Sequence, residues 1–96
     1  MAYDPGAIDA ALAATVGDEP VLIAELRAAF VESAEKAIDA IERAEDANAW
    51  ALASSRLKGL AASFGAIRLM SLASEIATKP GDAESVRKLR RAVARL

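Results

Sequence analysis

The chain has 96 residues, with 12 Lys+Arg, 14 Asp+Glu, no histidine and no cysteine. This length predicts a single domain, residues 1–96, with one modest core. Without histidine and cysteine the chain has no imidazole base, thiol nucleophile, zinc-thiolate site or disulfide. We therefore expect a protein that is not an enzyme and holds no metal or cofactor. A formal net charge of -2 argues against a nucleic-acid partner.

The N-terminus carries no pattern typical of a targeting signal. It begins Met1-Ala2-Tyr3-Asp4-Pro5, which is acidic where a signal peptide is basic. No apolar run approaches the length of about 18 residues that a membrane span needs. The sequence therefore predicts a soluble cytoplasmic protein without a membrane partner.

Helix signals divide the chain into five segments. Alanine supplies about a quarter of the residues, which favours helices because alanine loses no side-chain entropy on folding. Asp4-Pro5 predicts a short helix within residues 1–17, lying across one end of the domain, and Pro20 a longer second helix. Asp46 caps a predicted third helix that Gly65 ends, and residues 79–82 separate a fourth helix from a fifth.

Each of the four longer segments, within residues 18–96, shows one apolar face with a period of about 3.6 residues. These stripes predict an all-α fold, an antiparallel up-down-up-down four-helix bundle without strands. The predicted core positions are Leu22, Leu26, Phe30, Ser33, Ala37, Ile41 and Ala44; Trp50, Ala53, Leu57, Leu60, Ala61 and Phe64; Leu69, Leu72, Ala73 and Ile76; and Val86, Leu89, Val93 and Leu96.

The outward face of the third helix has an unusual composition. A rotation of about 100° per residue directs Ser55 away from the core stripe. Its predicted neighbours are small or apolar apart from one lysine: Ala51, Leu52, Lys58, Gly59 and Ala62. A solvated face normally carries several charges, and a glycine in mid-helix costs about 0.5–1 kcal/mol relative to alanine. Either a partner approaches this backbone closely, or the alanine-rich composition accounts for the small residues.

The same segment carries a family signature. Residues 53–66 read ASSRLKGLAASFGA and resemble the motif of histidine-containing phosphotransfer (HPt) domains. In that motif alanine and one further residue precede His-x-Leu-Lys-Gly-x-Ala, and Gly-Ala follows after three residues. Val16-Gly17-Asp18, Leu69 and Leu72-Ala73 extend the resemblance, which spans roughly Ile8 to Leu96.

The resemblance implies a four-helix bundle that works in two-component phosphorelay signalling. It places Ser55 where the family has its phosphorylated histidine, with Lys58 facing the phosphoryl group. Gly59 matches the small residue that lets a response-regulator receiver domain approach. The implied partner is a receiver domain, including one within a hybrid histidine kinase.

A phosphorelay carrier needs a phosphoryl bond about as labile as that of an aspartyl phosphate. A serine phosphate ester is far less reactive, and the chain has no imidazole base to activate the hydroxyl. We therefore expect that Ser55 carries no phosphoryl group in a relay. Three interpretations stay open: an exposed residue without a role, a polar contact in a docked complex, or a kinase substrate.

These features predict a binding module that docks a receiver domain but cannot pass on a phosphoryl group, as an inhibitor or an adaptor. One alternative is a genuine phosphotransfer protein whose natural histidine has been changed to serine. Another is a structural bundle that self-associates as a dimer through the alanine-rich face, whereas the first interpretation predicts a monomer.

Charged and aromatic residues support simpler interpretations. The predicted last helix is basic, and the end of the predicted second helix is acidic. We expect these two faces to form charge pairs with each other. The alternative is that the basic face contacts an acidic surface of a partner. Trp50 and Phe64 fall on the core stripe, which predicts packing rather than ligand stacking. The charged positions are Arg87, Lys88, Arg90, Arg91 and Arg95, and Asp39, Glu42, Glu45 and Asp46.

Overall fold

The computed structural model describes residues 19–96, which form four α-helices. In chain order they are α1 (Pro20–Glu42), α2 (Ala47–Ser63), α3 (Ile67–Ile76) and α4 (Ala83–Ala94). Residues 19–96 contain no strand, so the predicted helical class holds for this part of the chain. The short helix predicted within residues 1–17 lies outside the described residues. None of the described helices is long and apolar enough to span a membrane.

Local turn chemistry explains where the helices begin and end. Pro20 occupies the first turn of α1, and Asp46 caps α2 by accepting a 2.7 Å hydrogen bond from the Ala49 amide. At the end of α2, Gly65 adopts φ 70° and starts the turn into α3. The amide of Gly65 donates to Ala62, and that of Ala66 to Ala61, which is the Schellman pattern.

The four helices surround one core. α1 packs against α2 and α4, and α3 also packs against α2 and α4, so each helix contacts two neighbours. This arrangement agrees with a four-helix bundle, while the up-down-up-down course stays a prediction. The largest fully buried apolar side chains come from all four helices: Phe30, Ile38, Ile41, Leu57, Leu69, Ile76 and Leu89.

The predicted apolar stripe of α1 was partly wrong. After Phe30 the buried positions are Ala34 and Ile38, whereas Ser33 is exposed and Ala37 is only half-buried. Alanines occur on several sides of α1, so steps of three and four residues were equally compatible with the pattern. The core follows the steps of four, which bring the larger Ile38 inside.

Several predicted core positions lie at the margin of the core. Leu22 is 42% exposed near the start of α1, and Ala44 follows the end of that helix. Leu60, Phe64 and Leu96 are half-buried and pack against the core. The predicted core positions of α3 are all buried, which confirms that stripe.

Two aromatic contacts fix α2 against its neighbours. The indole Nε1–H of Trp50 donates a buried 2.6 Å hydrogen bond to the Ile76 carbonyl of α3. The rings of Phe30 and Phe64 stack with centroids 4.7 Å apart, which joins α1 to the C-terminal end of α2. Both observations confirm that Trp50 and Phe64 serve packing. Together they determine which side of α2 faces outward.

Charged side chains tie α4 to α1. The Arg90 guanidinium lies 2.9 Å from both Asp39 and Glu42, so the expected pairing of the basic and acidic faces is confirmed at this one arginine. The hydrogen bond to Asp39 is the main cause that raises the pKa of Arg90, and Glu42 adds to it. The bridge closes the ring of helices between the first and the last.

Asp82 caps α4. Its carboxylate accepts hydrogen bonds from the Ser85 hydroxyl at 2.6 Å and from the Ser85 amide at 3.2 Å. The hydroxyl bond is the main cause that lowers the pKa of Asp82 below its ordinary value of 3.8. Since the folded pKa lies below the unfolded one, the stabilisation is complete above the unfolded value. It is lost as the pH falls through the folded value.

We predict that Asp82→Asn makes the free energy of unfolding less dependent on pH below about pH 4. Asparagine still offers a capping oxygen but cannot take up the proton that weakens the native cap. Urea unfolding at a series of acidic pH values measures how steeply the free energy of unfolding changes with pH in the variant and in the parent chain. Equal slopes for the variant and the parent chain would contradict this role of the carboxylate.

Candidate functional site

The outward side of α2 carries the six positions that the sequence singled out. All are exposed, and we call this surface the Ser55 face: Ala51, Leu52, Ser55, Lys58, Gly59 and Ala62. The preceding residue, Ser54, is fully buried, and its hydroxyl has no hydrogen-bond partner. The boundary between core and surface therefore runs between these two consecutive serines. The burial of Ser54 was not predicted.

The side chain of Ser55 makes no hydrogen bond or ion pair with the rest of the described chain. Its hydroxyl consequently has no base among residues 19–96 that could activate it as a nucleophile. Leu52, one turn earlier, is 55% exposed. The face therefore combines a free hydroxyl with an accessible apolar side chain, which suits contact with a partner better than catalysis.

The two glycines of the motif have different surroundings. Gly65 has the positive φ that its turn requires, whereas Gly59 lies within α2. A Cβ added at Gly59 would meet no described atom within 4 Å. The Ser63 hydroxyl donates a 3.0 Å hydrogen bond to the Gly59 carbonyl. Any residue at position 59 would offer the same backbone carbonyl. Nothing in the described fold therefore requires glycine at position 59.

A shallow groove of about 400 Å³ borders the Ser55 face, between the end of α1 and the first half of α2. Leu52 lines it together with two arginines that the sequence analysis had not included, Arg43 and Arg56. Glu45 and Asp46 lie at the end of the groove near the interhelical turn. The groove extends the candidate site from one helix to two.

The groove carries two cations and two carboxylates, but its cations make no direct ion pair with any described residue. Arg43, Arg56 and Lys58 form no ion pair within the part of the chain that the structure describes. A signal for this was present in the sequence, since residues 47–74 contain three basic residues and no Asp or Glu. Positive charge without a partner attracts an acidic surface and speeds its association.

Fold and face together define an all-helical interaction domain with an exposed, cation-flanked helix. The family described as the Hpt domain matches residues 25–96, three-quarters of the chain. The chain therefore belongs to the HPt domain family, the phosphotransfer-type signalling modules of two-component systems. HPt domains generally interact with receiver domains and kinases. No curated protein and no solved structure matches the chain with significance.

We predict that Gly59→Ala stabilises the fold by about 0.5–1 kcal/mol. The added methyl group meets no described neighbour, and alanine loses less backbone entropy on folding. Urea denaturation measures the change. Gly65→Ala is the matched control and should destabilise by about 1–2 kcal/mol, because an L-residue there adopts a left-handed conformation. A destabilising Gly59→Ala would reveal a structural need for this glycine.

Proposed function

We propose that this protein is a pseudo-phosphotransfer module that docks a response-regulator receiver domain through the Ser55 face without carrying a phosphoryl group. The observation that carries the proposal is the exposed helix side formed by Ser55, Lys58 and Gly59. It has the spacing of the family motif and no intramolecular explanation for its glycine. The 96 residues contain no histidine that could form a phosphohistidine.

The chemistry of serine supports docking without transfer. In a relay the phosphoryl group moves between an aspartate and a carrier of similar transfer potential. A serine phosphate ester lies far below that potential, so transfer onto Ser55 would trap the group. The hydroxyl also lacks a base among the described residues, so its attack on an acyl phosphate would be unassisted.

Charge and shape favour a receiver domain as the partner. The family resemblance implies a partner pocket with several aspartates, and Arg43, Arg56 and Lys58 supply complementary charge. Leu52 offers an apolar anchor, and Gly59 lets a partner backbone come close to α2. A patch of this kind supports weak and transient association.

The consequence for signalling follows from occupancy. A domain that covers the phosphoacceptor aspartate of a receiver would compete with functional phosphotransfer domains for the same site. If it also held another component, it would act as an adaptor. A hybrid histidine kinase would be engaged through its own receiver domain.

We predict that Gly59→Glu weakens receiver binding at least tenfold in a calorimetric titration. The carboxylate adds bulk at the point of closest approach and repels an acidic pocket. Ala83→Glu is the charge-matched control, because Ala83 is exposed at the start of α4, which packs against α1 and α3. Circular dichroism should show equal helicity in both variants.

Unchanged affinity of Gly59→Glu would contradict the docking face. Sedimentation at several concentrations tests the dimer alternative. A dimer that dissociates in Gly59→Glu would mean that the Ser55 face binds a second copy of this chain instead of a receiver.

We further predict that Ser55→His accepts a phosphoryl group from a phosphorylated receiver, whereas the parent chain accepts none. An imidazole at this exposed position would lie on the accessible side of α2. Acid-labile phosphate on the variant is the readout. Label on the parent chain would contradict its role as a non-carrier. A variant that docks without becoming labelled would show that position 55 does not correspond to the family's phosphoacceptor.

A further inference from the structure

A second cationic surface lies on the other pair of helices. A groove of about 250 Å³ runs between α3 and α4, and no residue of α2 lines it. Arg68 and Glu75 line it from α3, and Lys88, Arg91 and Arg95 from α4. Four cations therefore share a small open volume with one carboxylate.

Most of this charge has no counter-charge in the described chain. Arg91 is paired with Glu84 at 2.9 Å, and Glu75 is paired with Lys79, outside the groove, at 3.5 Å. Arg68, Lys88 and Arg95 form no ion pair with any residue from 19 to 96. These exposed cations leave positive charge in the groove that an anion entering between them would neutralise.

Fold stability does not explain all of these cations. Arg91 and Arg95 lie at the C-terminal end of α4, where positive charge stabilises the helix dipole. Arg68 is the second residue of α3 and therefore lies near the positive end of the α3 helix dipole, where a cation is unfavourable. Lys88 lies in mid-helix and gains nothing from either end. These two residues are therefore the part of the cluster that points to a ligand.

We propose that the α3–α4 groove binds an acidic peptide segment of a protein partner, with carboxylates of the segment between Arg68 and Lys88. Lys88 and Arg95 are seven residues apart on one side of α4, about 10 Å along the helix. Several carboxylates of one extended segment fit along this length. The proposal is independent of the docking of a receiver domain on the Ser55 face.

Shape and charge favour a peptide over other anions. The groove lies open between two helices and does not enclose a ligand as typical small-molecule sites do, so an extended segment can lie along it. A nucleic acid would extend beyond the groove, and the chain as a whole has a net charge of -2. Glu75 is paired with Lys79 and can also accept a hydrogen bond from an amide of a bound peptide, a donor that a phosphate backbone lacks.

Fluorescein-labelled hexaglutamate tests the proposal by polarisation titration against the full chain. We expect saturable binding that Arg68→Gln with Lys88→Gln weakens at least tenfold. The matched control is Lys36→Gln with Lys58→Gln, which removes the same charge from exposed cations outside the groove and should change the affinity less than twofold. Gly59→Glu should also leave this binding within twofold, which separates the test from receiver docking.

Four results would overturn the proposal. The first is the absence of saturable hexaglutamate binding, and the second is equal weakening of that binding in both double variants. The third is tighter binding of a ten-nucleotide oligothymidylate that is lost in the Arg68→Gln/Lys88→Gln variant. The fourth is loss of hexaglutamate binding only in Arg43→Gln with Arg56→Gln. The second would indicate attraction by net charge alone. The third would assign the groove to a nucleic acid, and the fourth would move the anion site to the Ser55 face.

Discussion

The orientation of α2 about its own axis determines which residues form the Ser55 face, and the buried hydrogen bond from Trp50 to the Ile76 carbonyl fixes this orientation. This bond joins the first turn of α2 to the end of α3, while the stacked rings of Phe30 and Phe64 hold the other end. Because one residue corresponds to about 100° of rotation, Ser55 could take the buried place of Ser54 only if both of these contacts were broken. The exposure of the Ser55 face is thus a consequence of core packing.

The sequence predicted best what depends on neighbouring residues. The cap at Asp46 and the turn at Gly65 follow from local chemistry, and both were predicted in place. Residues 79–82 were predicted only as a break between helices, and the structure shows that Asp82 caps α4. The stripe of α1 was harder to predict because alanines occur on several sides of the helix. Only contact with the other helices decides that Ala34 is buried and Ser33 is exposed.

The candidate site was predictable where it lies on one helix. The exposure of Ser55, Lys58 and Gly59 follows from helical rotation alone, but their neighbours across the groove do not. Arg43 comes from the end of α1, and its approach to Arg56 and Leu52 depends on how two helices meet. The available signal was the distribution of charge, since no carboxylate from 47 to 74 can pair locally with the cations of that segment.

Charge segregation connects the two proposed surfaces. Residues 1–46 contain eleven acidic and three basic residues, and residues 47–96 contain three and nine. The bridge from Arg90 to Asp39 and Glu42 uses part of this asymmetry to hold α4 on α1. Of the other cations, Arg43, Arg56 and Lys58 lie at a surface with an apolar anchor and a glycine, which suits a folded domain. A second set lines a narrow groove, which suits an extended acidic segment: Arg68, Lys88, Arg91 and Arg95. If the domain performs no transfer, as proposed, holding two partners at once is a sufficient function, because each bound partner raises the local concentration of the other.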